Sequence, residues 1–275
     1  MKTRATSKLG VHIILIFVAI VMLVPFIWMF LTSFKTQTEA TAMNPIVIFP
    51  SVWQTENYTE MISSNNFGRL YFNTFAMMII RIVTSVLFSA MAAYAFSRIE
   101  FKGRDFLFSL VLVQMMVPSQ VFIIPQYQII DAINMRNSIF ALVFPGIVSA
   151  FGTFLLRQFF MGLPKSLEES ALIDGANIGQ IFFDIMLPLA RSGMVALAIF
   201  TALFAFKDMM WPLIINSNPN MATLSSSLSK IQGAYTVNYP QLMAASCLAV
   251  WPMVIIYVIF QRQFIEGIAT TGGKL

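Results

Sequence analysis

Long unbroken apolar runs, rather than an alternation of apolar and polar positions, organise this chain. Six stretches carry little or no charge: His12–Phe34, Leu70–Phe96, Phe106–Ile130, Ser138–Leu156, about Leu187 to Ile215, and Gln241–Gln261. A helix needs roughly 20 apolar residues to cross the hydrocarbon core of a bilayer. Continuous runs near that length predict spanning helices, because a spanning strand would alternate. The first run is too long for the core of a secretory signal and lacks a small-x-small cleavage site, so it reads as a retained span. Pro118, Pro125, Pro145, Pro212 and Pro252 fall in or near the runs and predict kinks or irregular turns. The expected fold is an all-α polytopic membrane protein with six transmembrane helices.

Three regions follow. Residues 1–69 hold the first span and a polar segment with room for a short surface helix. Residues 70–262 hold spans two to six, with a polar loop at 164–188, and residues 263–275 form a tail.

Composition agrees. Hydrophobic residues make up 58% of the 275 and charged residues 11%, against about 45–50% and 25% in soluble domains. The net charge of +5 does not form a nucleic-acid patch, because the basic residues sit at the ends of apolar runs. With the N-terminus inside, inner segments hold Lys2, Arg4, Lys8, Arg98, Lys102, Arg104, Arg157, Lys165, Arg191, Arg262 and Lys274. Outer segments hold only Lys35, Arg69, Arg136 and Lys230. That asymmetry predicts cytoplasmic termini and a cytoplasmic loop at 164–188. Cys247 is the one cysteine and His12 the one histidine, so no disulfide or metal-ligand spacing is present.

Arg81, Lys207 and Asp208 are the charges nearest the bilayer interior. Such groups are costly unless they face protein or water. Arg81 reads either as lining a pathway or as pairing with a carboxylate of another subunit. Lys207 and Asp208 read either as snorkelling toward the surface or, with Trp211, as part of a translocation path. Ser85, Ser89 and Ala93 form a small-residue face suited to close helix packing.

The loop has helix grammar of its own. Ser166 and Glu169 are spaced as a capping box, and Glu168 and Glu169 suit the positive end of a helix dipole. Asp174-Gly175 predicts the stop, with glycine taking the left-handed turn. A second helix is expected over Ala176–Met186, with Ile178, Ile181, Phe182 and Ile185 as an apolar stripe. Pro188 then stands near the start of span five, where its missing N–H costs little. The loop has no basic residue between Ser166 and Pro188, so a protein partner suits it better than lipid headgroups.

At this point a resemblance becomes specific. Glu169-Ser170-Ala171, three residues, Gly175, nine residues, then Ile185-Met186-Leu187-Pro188 resembles the EAA loop of bacterial ABC-importer permeases. Ser170 stands where that pattern has Ala. The segments "YAFSRIEFKGRDFLF" (94–108), "MVPSQVFIIPQYQI" (116–129) and "FIEGIATTGGKL" (264–275) are similar to the carbohydrate-uptake, maltose-type branch. In "FKDMMWPL" (206–213), Lys207 departs from that branch's more usual Asn.

The resemblance implies a type I importer permease forming half of a pathway for a sugar or oligosaccharide in the bacterial inner membrane. It implies a homologous second permease, two ATPase subunits that bind ATP and Mg²⁺, and an extracytoplasmic solute-binding protein. The loop becomes a coupling helix seated in an ATPase cleft. Its residues are Glu168, Glu169, Ser170, Ala171, Asp174, Gly175, Ile178, Phe182, Leu187 and Pro188, with Glu169 the polar anchor. Ile178, Ile181 and Phe182 either dock or pack against the chain's own spans. The chain lacks a G-x-x-x-x-G-K-[ST] phosphate loop, so no cofactor is assigned to it and it is not itself expected to be an enzyme. The alternative is a stand-alone ion-coupled transporter, which would place carboxylates deep in the spans; only Asp208 qualifies.

Overall fold

The computed structural model describes residues 3–232 and 237–272, with side chains over 10–232 and 237–262. Among the described residues every regular element is helical. In chain order these are α1 (Thr3–Thr32), α2 (Gln37–Thr41), α3 (Glu56–Ser64), α4 (Phe67–Arg98), α5 (Arg104–Met116), α6 (Ile123–Ala132), α7 (Ile139–Val143) and α8 (Ala150–Met161). They continue with α9 (Ser166–Ile173), α10 (Ile178–Gln180), α11 (Leu187–Leu189), α12 (Arg191–Lys207), α13 (Met210–Ile215), α14 (Leu224–Ile231) and α15 (Tyr239–Gly272). The expected tail at 263–275 is helical backbone as far as Gly272, and residues 273–275 lie outside the described residues.

Spans one, two and six are single helices, α1, α4 and α15. The other three are bent, and the chain crosses six times if each bent pair is one span. The bend is 102° between Arg104–Met116 and Ser119–Ala132, 49° between Ile139–Gly146 and Ala150–Met161, and 74° between Ile178–Leu189 and Arg191–Lys207. These runs were expected to be continuous helices with kinks. Pro118 explains the sharpest departure: it disfavours helical backbone in the residue before it, and Val117 is extended at φ −86°, ψ 127°. Span five is also shorter than the apolar run suggested. Its helix ends at Lys207, Asp208 is extended, and Met210–Ile215 forms a helix of its own.

The backbone contacts define two compact units, one of Met1–Phe67 with Ser227–Ile255 and one of Gly68–Ser226 with Ile256–Leu275. In the first, the polar segment after α1 folds around Lys35, a residue expected only to mark topology. It is 1% exposed; its Nζ donates to the Val47 carbonyl at 2.7 Å and sits 4.1 Å over the Trp28 ring. Burial lowers its pKa from the ordinary lysine value, partly offset by Glu39.

The second unit carries two apolar clusters. One gathers Tyr94, Leu156, Phe160, Ile181, Phe182 and Met186; the other gathers Met77, Ile130, Leu142, Trp211 and Ile215. Ser85, Ser89 and Ala93 are buried within the unit, and Ser89 Oγ donates to the Ser149 carbonyl at 3.3 Å.

Candidate functional site

The loop between spans four and five is shaped by contacts short in sequence. Helix α9 begins one residue earlier than a Ser166 cap requires. Lys165 is already helical, and its carbonyl accepts the Glu168 and Glu169 amides at 3.0 and 3.1 Å. Ser166 is therefore inside the helix and caps nothing, so the expected Ser166–Glu169 capping box is not formed. The helix ends at Asp174, with Gly175 at φ +85°. Gly175 N–H donates to Leu172 O at 3.1 Å and Ala176 N–H to Ala171 O at 2.9 Å, a Schellman motif.

A capping box does exist further on. Asn177 Oδ1 accepts the Gln180 amide at 3.0 Å, while Gln180 Oε1 accepts the Asn177 amide at 2.9 Å. Asx and Gln at this spacing were a legible signal, passed over in favour of Ser and Glu. The expected second helix over Ala176–Met186 is α only over Ile178–Gln180 and π over Ile181–Met186. The wider i→i+5 turn shifts the stripe. Ile181, Phe182 and Met186 are buried, Ile185 is half-buried and Ile178 is 57% exposed.

Of the residues assigned to this loop, Ala171 and Phe182 face inward, and Glu168 and Leu187 are half-buried. Glu169, Ser170, Asp174, Gly175, Ile178 and Pro188 face outward. Leu172, Ile173 and Phe183 are also exposed, at 56, 86 and 53%. These three were missed, although Leu172 and Ile173, large apolar residues directly before the Asp-Gly turn, were visible in the sequence.

The loop is tied to the end of α4 through Arg98, also missed. Arg98 Nη2 donates to the carbonyls of Phe160 and Leu163, filling acceptors where α8 ends. Its Nε lies 3.5 Å from Glu168 Oε1, an ion pair with side chains 4% and 16% exposed. Burial pushes the Glu168 carboxyl above its ordinary value, and the Arg98 guanidinium pulls it back. Tyr94 and Phe182, with ring centres 5.1 Å apart, continue this floor beneath the loop.

A second site forms around Arg81. Its Nη1 is 2.8 Å from Asp208 Oδ2, and its Nε and Nη2 both donate to the Leu142 carbonyl, the former at 3.1 Å. The carboxylate that Arg81 meets thus belongs to its own chain rather than to another subunit. A side chain can cross here because position 146 is glycine: a Cβ there would lie 2.5 Å from Arg81 Cδ. Pro145 has no N–H to return to the Ala141 carbonyl, and the Trp211 indole Nε1 donates to it instead at 2.7 Å.

Three helix breaks meet at this point, after Met116, at Pro145-Gly146 and at Asp208. They surround a cleft of about 420 Å³ whose lining includes Arg81, Ser119, Gln120, Gln126, Lys207 and Trp211. Irregular backbone at membrane depth is tolerated where it lies against protein or lines a watered cavity. All four residues assigned to a pathway, Asp208 among them, therefore border one cleft. Gln120 and Gln126 were missed as lining residues, although an amide soon after each of Pro118 and Pro125 inside an apolar run was a visible signal. Among the described residues there is no cluster of metal-ligating side chains.

Helices able to make up to six crossings, a polar loop before the fifth span and a cleft lined by charged and amide side chains among broken helices fit a membrane transport subunit. The chain belongs to the family described as binding-protein-dependent transport system inner membrane component, which it matches over residues 85–269. It is a permease subunit of an ABC importer, a transport component and not an enzyme, and nothing supports the ion-coupled alternative.

Among its relatives is the arabinooligosaccharides transport system permease protein AraQ of Halalkalibacterium halodurans, 35% identical over 94% of this chain and 93% of that protein. Another is the sulfoquinovosyl glycerol transport system permease protein SmoH of Agrobacterium fabrum, 32% identical over 92% of this chain and 89% of that protein. The fold matches a crystal structure of a bacterial ABC transporter involved in the import of the acidic polysaccharide alginate. The TM-score is 0.80 at 20% identity, covering 96% of this chain and 98% of that one.

Proposed function

We propose that this chain forms half of an inner-membrane pathway for a sugar or oligosaccharide, with both termini in the cytoplasm. A homologous permease supplies the other half, two ATPase subunits bind ATP and Mg²⁺, and an extracytoplasmic solute-binding protein delivers the cargo. The loop at 164–188 seats in an ATPase cleft, and Arg81, Lys207, Asp208 and Trp211 border the path. Glu169 is the polar anchor of the loop and Gly175 its turn.

The observation that carries this reading is the loop's surface. Leu172, Ile173, Ile178 and Phe183 are exposed on a segment fixed by a Schellman motif and a capping box. Exposed apolar residues on a shaped, acidic element fit a protein partner. Ile181 and Phe182, by contrast, pack against the chain's own spans.

Affinity purification of the chain from its native membranes tests the proposal. An ATP-binding subunit is expected to co-purify, and Ile173→Glu is expected to release it while the chain stays in the membrane. A chain that copurifies with no ATP-binding subunit would overturn the reading.

A further inference from the structure

The charges in the cleft do not balance. Arg81 is committed to Asp208 and to the Leu142 carbonyl. Among the described residues lining the cleft, Asp208 is the one carboxylate. Lys207 lines the same cleft, is exposed, and meets no carboxylate within ion-pair distance among the described residues. One positive charge is left over, in a cleft that the amides of Gln120 and Gln126 also line.

We infer that this cleft binds an anionic group on the cargo, so that the substrate is a sugar or polyol bearing a carboxylate, sulfonate or phosphate. The inference rests on the importer pathway proposed above and narrows its substrate class. An anion bound in this cleft would meet a positive charge that no carboxylate of the lining cancels. Lys207 is the counter-ion. Arg81, already paired, contributes position rather than free charge. An amide both donates and accepts, so Gln120 and Gln126 suit the hydroxyls of the same ligand, one exposed and the other half-buried in the wall. A neutral oligosaccharide would satisfy the amides and leave the lysine without a partner. The side chain at 207 is thereby a specificity residue: asparagine there leaves Arg81 and Asp208 to balance each other and makes the cleft neutral.

Cysteine accessibility tests this in the assembled complex. Cys247 is the single native cysteine, so Cys247→Ser with Ser119→Cys places one thiol in the cleft lining. Its rates of modification by a sulfonate and by a trimethylammonium methanethiosulfonate are compared, each relative to a free thiol. The sulfonate is expected to be favoured, and Lys207→Asn to reduce that preference on the order of tenfold, as expected for removing one nearby charge. Lys207→Arg is expected to retain it, which separates charge from misfolding.

Digalacturonate is then used as a protecting probe beside neutral digalactose. The acidic sugar is expected to slow modification more, and only when lysine or arginine stands at position 207. A thiol that neither reagent reaches removes the pathway itself. A reactive thiol whose reagent preference is unchanged by Lys207→Asn leaves the pathway standing and removes the anion site. Equal protection by both sugars, or protection by neither, removes the substrate class.

Discussion

The loop and the cleft are built by opposite means. From Lys165 to Gln180, the hydrogen bonds that set the loop's helix start, turn and second cap join residues no more than five apart. Arg81, the hub of the cleft, reaches residues 61 and 127 positions away. A locally closed element keeps its shape through its own backbone. A cleft assembled from distant breaks depends on every strut. The two glycines state the same contrast. Gly175 is required by its own left-handed φ, with nothing within 4 Å of a Cβ, whereas Gly146 is required by a side chain arriving from another helix.

The largest test of this contrast is Arg81→Ala. It leaves Asp208 and the Leu142 carbonyl without their donor in a half-buried setting. Removing one partner of such a pair costs about 3–5 kcal/mol, so the thermal unfolding midpoint in detergent is expected to fall sharply. Adding Asp208→Ala should restore part of the loss. Full additivity of the two substitutions would show that the pair is not the strut described here.

Gly146→Ala comes next. The new methyl displaces Arg81 rather than straining its own backbone, and crowding of this kind costs about 1–3 kcal/mol. The expected signature is non-local, with greater accessibility of Lys207 and Asp208 to labelling reagents. The smallest effect belongs to Gly175→Ala, about 1–2 kcal/mol from the left-handed φ. Faster amide exchange is expected over residues 171–177, with no change at the cleft. A change at the cleft would mean that the loop is not self-contained.

The same division governs what could be read from the sequence. The order of the six apolar runs, the Asp174-Gly175 turn and the place of Pro188 were legible because each depends on residues close together. The start of α9 was not. Ser166 had its partner three residues on, but Lys165 adopted helical backbone and put Ser166 inside the helix, an outcome the capping motif does not display; Asn177, with Gln180 three residues on, caps a different helix. The prolines announced irregularity but not its degree: Pro118 falls at a 102° bend, while Pro252 lies inside a continuous helix. Arg81 was legible as a costly charge, and Asp208 was visible as another. Nothing local joined them, since their pairing depends on where α12 ends and on a glycine in a third helix.

The π stretch at Ile181–Met186 has a consequence for the loop's length. A π turn accommodates one residue more than the α turn it replaces. The interval from Gly175 to Ile185 therefore holds a spare residue that the phase of its neighbours does not require. Loss of one residue there would be absorbed as ordinary α-helix, leaving the orientation of α12 unchanged, whereas an insertion would meet no such reserve.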